Sequence, residues 1–177
     1  MKKVSIVTIF AALMMISSVA VAQTTASGTL TVSATVNGSI QLVFNSDAAG
    51  VALSSGAGTN AATLAFGIVS AFGTVAAGVT RTTTASNFTV SSAVDVQVSK
   101  TNSASANYTL KAQLGTADAT NTWSVGGVAV TSAAQSTLTA TGTYAANSNF
   151  PVAITVPFTS ASGTTISNTI NYVATAN

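Results

Sequence analysis

The chain has 177 residues; 47% are hydrophobic and only 5% charged, with no histidine and no cysteine. Its acidic residues are three aspartates, Asp47, Asp95 and Asp118, with no glutamate. Those absences exclude Ser-His-Asp and Cys-His nucleophilic centres, histidine or thiolate metal sites, and disulfide staples.

Lys2 and Lys3 precede an apolar run over residues 4–19, and Ala20-Val21-Ala22 reads as a small-residue cleavage site. This pattern predicts a secretory signal-peptide helix over 1–22, with Gln23 as the new N-terminus. An uncleaved membrane anchor is the competing reading, disfavoured by the small residues before Gln23 and the polar stretch after it. The expectation is a bacterial protein exported through the periplasm to the cell surface or beyond, with no membrane span once the signal is cut. Removing 22 residues from 177 leaves 155, enough for one domain, residues 23–177, that buries roughly 70% of its unfolded surface. In that remainder Arg81, Lys100 and Lys111 balance the three aspartates. There is no basic patch for nucleic acid.

The first periodic stretch is 28–36, where Leu30, Val32, Ala34 and Val36 alternate with threonine and serine. A period of two in β-branched residues predicts a strand with one buried face. Asn37-Gly38 then signals a tight turn into Ile40, Leu42 and Phe44, so a hairpin is expected here. Residues 45–61 read as a long loop of small residues, with a short strand at 51–53 as an option. Residues 63–75, in which Ala-Phe-Gly occurs at both 65–67 and 71–73, read as a kinked strand.

Residues 87–100 alternate through Phe88, Val90, Val94, Val96 and Val98, and Tyr108, Leu110, Ala112 and Leu114 continue the pattern. Trp123 and Val125 face Val128 and Val130 across Gly126-Gly127, a second compact hairpin. A weaker strand over 137–144 follows. Phe150, Val152, Ile154, Val156 and Phe158 then alternate, with Pro151 and Pro157 near the ends, where a residue lacking an N–H suits a strand edge or end. Ile166 to Ala174 closes the series. Roughly eight to ten short strands with turn signals between them predict an all-β fold, an antiparallel β-sandwich. A closed barrel is the alternative; an outer-membrane barrel is disfavoured by the lack of aromatic girdles.

Little chemistry is left to assign. Paired-carboxylate catalysis would need two of the three aspartates to converge, which their separate segments do not suggest. Residues 56–61 fit G-x-G-x-x-A but lack the following helix and acidic partner of a dinucleotide site. Asn45-Ser46-Asp47 reads as an Asx turn rather than a calcium loop. The chain is therefore read as non-enzymatic and without a cofactor or metal. Trp123, the single tryptophan, is a candidate sugar-stacking residue, with a place in the core as the blander reading.

A β protein with so few charges has little with which to blunt its strand edges. Strand addition between chains is the specific way of using such edges: backbone hydrogen bonds supply affinity and alternating side chains supply register. The signal peptide, the alternating strand at 28–36, Leu64-Ala65-Phe66-Gly67, and the closing run Gly163 to Tyr172 (GTTISNTINY) together resemble secreted pilin-type subunits of the spore-coat-U-like and chaperone-usher groups. The resemblance implies an immunoglobulin-like sandwich lacking one strand, completed by a neighbour's N-terminal extension. It makes Leu30, Val32, Ala34 and Val36 the candidate donor-strand residues. The implied partners are further copies or related subunits, with a periplasmic chaperone or usher as helper. The functional expectation is a structural subunit of a bacterial surface fibre, pilus or coat. A stand-alone extracellular module binding carbohydrate or a surface is the alternative.

Overall fold

The structure is a computed structural model that describes residues 27–177. The expected signal peptide over 1–22 lies outside the described residues. Among those described, the chain forms eleven strands and no helix. The strands are β1 (Ser39–Ser46), β2 (Thr80–Thr83), β3 (Asn87–Ser92), β4 (Val94–Thr101), β5 (Tyr108–Leu114), β6 (Thr122–Val125), β7 (Val128–Val130), β8 (Ser136–Gly142), β9 (Asn147–Asn149), β10 (Val152–Pro157) and β11 (Ile170–Ala176). They pair antiparallel, in the orders β1-β4-β9, β2-β3-β10-β6-β7 and β11-β5-β8.

The frame is one long two-stranded ribbon shared by two of these sheets. β3 pairs β10 with Ser92 opposite Val152, and β4 pairs β9 with Asp95 opposite Asn149. Each step is three residues further along its strand, and Phe150 N–H donates to Val94 C=O at 2.8 Å between them. The register therefore crosses the bend without a slip. The bend falls where Ala93 meets Pro151, a residue with no N–H to give the ladder. Strands that change sheets at such a corner fold one ribbon over a core. Buried Phe88, Val90, Ser92, Val94, Val96 and Val98 keep one parity straight through it.

The strands of the β11-β5-β8 sheet pack across that ribbon. Ala112 and Leu114 of β5 join Val90, Trp123, Val125 and Ile154 in one buried cluster. Tyr108 and Leu110 of the same strand join Val96 and Val98 in a second. The β5–β8 ladder is irregular, and at its end Gly142 lies opposite Tyr108. A Cβ on Gly142 would sit 2.3 Å from the tyrosine ring, so only glycine lets that ring lie flat on the neighbouring backbone.

Four expectations need correction. Residues 28–36 form no strand and make no hairpin through Asn37-Gly38; β1 instead pairs along its whole length with β4. A two-strand hairpin is marginal by itself, whereas β4 offers a strand already fixed in the core. The stretch 63–75 forms no strand beyond a single bridge at Thr63. β2, a Thr-Arg-Thr-Thr segment without apolar alternation, was not legible as a strand. The closing strand begins at Ile170, not at Ile166. The Gly126-Gly127 hairpin forms as read, joining β6 to β7.

Candidate functional site

Several strand edges are covered by the chain itself. Arg81 of β2 donates from Nη1 to Ser70 C=O at 2.9 Å and from Nη2 to Gly73 C=O at 2.7 Å. Thr83 Oγ1 donates to Ala71 C=O at 3.2 Å, so the 70–73 loop is strapped along β2. The β7 hairpin is tied to neighbouring elements through Leu114 N–H to Thr131 C=O at 3.1 Å and Ser136 Oγ to Ala129 C=O at 2.7 Å.

β1 and β11 differ. Each has a ladder on one side, to β4 and β5 respectively, and the two exchange no ladder with each other. Where they meet, Phe44 lies edge-on to Tyr172 with ring centroids 5.1 Å apart. A cleft of about 1530 Å³ opens beside them. Ile40, Leu42 and Phe44 line one side, Ile166, Ile170 and Tyr172 another, and Val90, Trp123 and Ile154 of the main core also contribute. Small-ligand pockets are usually about 300–1,000 Å³; this one has the size to take a length of chain, and polar residues such as Gln41, Thr165 and Asn171 share its lining with the apolar ones. Burial pushes the Tyr172 phenol well above its ordinary pKa.

The candidate donor residues are exposed. Leu30 is 87% exposed, Val32 81% and Val36 71%, and Ala34 is exposed as well. Their alternation is that of a strand, and they form no ladder among the described residues.

Trp123 is buried, and its indole Nε1–H donates to Asp118 Oδ2 at 2.8 Å. The ring is part of the main cluster rather than an outward face. Desolvation raises the pKa of Asp118, but the backbone N–H of Asn121, the Trp123 and Asn121 side chains and the Thr120 N–H outweigh it, bringing the carboxyl to about 2. This carboxylate organises the 118–121 turn.

Two aspartates do come together. Asn149 Nδ2 donates to Asp47 Oδ2 at 2.8 Å and to Asp95 Oδ1 at 3.2 Å, while Asn147 Nδ2 reaches Asp95 Oδ2 at 3.2 Å. No local pattern signals this pairing, since Asp47 and Asn149 are 102 positions apart. Both carboxylates are occupied in tying β9 to the β1–β4 pair. Compared with family models, curated proteins and solved structures, the chain matches none.

Proposed function

We propose that this chain is a non-enzymatic, secreted structural subunit of a bacterial surface fibre, pilus or coat, assembling by β-strand addition. In this reading the fold is an immunoglobulin-like sandwich one strand short, and residues 28–36 of a second copy or related subunit fill the groove beside β1 and β11. One observation carries it: an alternating apolar segment exposed and without a ladder, in a chain that also has a large, partly apolar groove between β11, laddered on one side only, and β1, whose outer edge is bonded only at Phe44. Burying a leucine or valine side chain contributes about 1.5–3 kcal/mol, and the edges of β1 and β11 add ladder bonds. The signal sequence supplies the route out of the cell, and a periplasmic chaperone or usher would hold the groove until assembly.

The test is assembly of the exported chain, followed by size-exclusion chromatography and negative-stain microscopy. The wild type should form linear oligomers, while Val32→Asp, which would place a charge in an apolar groove, should stay monomeric with an unchanged melting temperature. A wild-type chain that remains monomeric at high concentration, with residues 28–36 protected from hydrogen exchange, overturns the reading.

A further inference from the structure

We infer that residues 58–66 are an in-chain placeholder, which guards the groove in the unassembled subunit and is displaced by the incoming strand. The inference rests on the strand addition proposed above and concerns how that same groove is regulated.

The placeholder begins as a small hairpin. Ser54 N–H donates to Thr63 C=O at 2.9 Å and Thr63 N–H to Ser55 C=O at 3.0 Å. Inside it, Thr59 Oγ1 lies 2.8 Å from the carbonyl oxygens of both Gly56 and Ala61, and its one proton can go to either. Gly56 has φ +75°, and a Cβ there would lie 1.9 Å from the Ala61 oxygen, so the loop closes only around glycine. Its tip takes the outer edge of β1 at one residue: Gly58 N–H donates to Phe44 C=O at 2.7 Å, and Phe44 N–H to Thr59 C=O at 2.8 Å. An added strand needs those same two backbone groups.

Beyond the tip the chain imitates a strand without being one. Ala62, Leu64 and Phe66 are half-buried and alternate with exposed Thr63, Ala65 and Gly67. Leu64 and Phe66 pack against the main cluster and line the groove. Yet among the described residues the stretch 62–66 makes backbone hydrogen bonds only at Thr63. It covers apolar surface through side chains while leaving the rest of the ladder unmade. An incoming strand offers alternating side chains and a ladder together, so exchange runs toward assembly. Until then the segment keeps part of the core beside the groove and the Phe44 edge of β1 covered, which limits the exposed apolar surface and free edge that are a liability in any exported β protein.

The experiment uses the full exported chain carrying Val32→Asp, which cannot donate but keeps its groove, mixed with a synthetic peptide of residues 28–36. Hydrogen exchange should show the Gly58 and Thr63 amides losing protection as the peptide binds. Chymotryptic cleavage after Phe66 should accelerate about tenfold, because cutting follows the population of the released segment. Adding Gly56→Ala, which lies outside the groove lining, should speed peptide uptake about tenfold by loosening the competitor. If the peptide binds while Gly58 stays protected and Phe66 stays uncut, the placeholder is wrong and strand addition survives. If the peptide binds neither the single nor the double variant, strand addition itself fails and the placeholder falls with it.

Discussion

Phe44 and Tyr172 hold together two strands that share no ladder. Their edge-on contact at 5.1 Å is the cross-tie between β1 and β11 beside the groove. Phe44→Ala should cost about 2 kcal/mol, below the range for a fully buried phenylalanine because this ring is only half-buried. Urea denaturation checks the magnitude. The same substitution should let water reach the Tyr172 phenol and lower its pKa toward the ordinary value, read by ultraviolet titration. In the wild type the raised pKa has a defined sign. Tyr172 supports the fold fully below roughly pH 10, where the unfolded phenol ionises. That support is lost as pH climbs toward the folded pKa.

The Asp118–Trp123 contact makes a prediction at the other end of the pH scale. The folded carboxyl titrates at about 2, whereas an unfolded aspartate titrates at roughly 3.9. Ionised Asp118 therefore favours the folded turn above about pH 4 and ceases to do so as pH falls through about 2. Tryptophan fluorescence should stay flat through pH 4 and change with a midpoint near 2. Asp118→Asn should abolish that transition.

Gly142 and Tyr108 separate two kinds of core defect. Gly142→Ala forces a methyl against the ring, and overpacking of this kind costs about 1–3 kcal/mol. Tyr108→Phe removes a buried hydroxyl that finds no partner among the described residues, so it should leave stability within about 1 kcal/mol of wild type or slightly raise it. Thermal melts of the two variants should move apart accordingly.

Arg81 tests the edge protection of β2. Arg81→Ala releases the carbonyls of Ser70 and Gly73, with a loss of about 1–2 kcal/mol for the charge-assisted bonds. It should also raise light scattering on storage by baring the β2 edge. Arg81→Lys should not restore the wild-type behaviour, because one ammonium does not reproduce the two-pronged contact.

Much of the framework was readable in the residues. The alternation of 87–100, 108–114 and 150–158 names most of the buried side chains, and Gly126-Gly127 marks a real hairpin. Alternation is silent on pairing, however. Residues 28–36 and 62–66 show the period of a strand and lack its ladder, because periodicity reports which side chains can be buried together and not whether a backbone lies alongside. The bend at Ala93 was invisible for a related reason: burial parity runs through it unchanged. β2 was missed because Thr80–Thr83 owes its strand to β3 and to the Arg81 strap rather than to apolar spacing. The groove assembles β1, residues 58–69 and residues 163–172, which meet only in three dimensions.

The unbroken register of the bent ribbon has a consequence for cooperativity. A one-residue slip anywhere between Asn87 and Gln97 would turn every inward valine to the opposite face, so its two halves cannot adjust independently. β3, β4, β9 and β10 should exchange their amides as a single unit at the global unfolding free energy. The strand that anchors β1, and with it one bank of the groove, is thereby locked to the far end of the molecule. In the proposed assembly, the loop beside the groove would be remodelled without loosening the bank that the incoming strand binds.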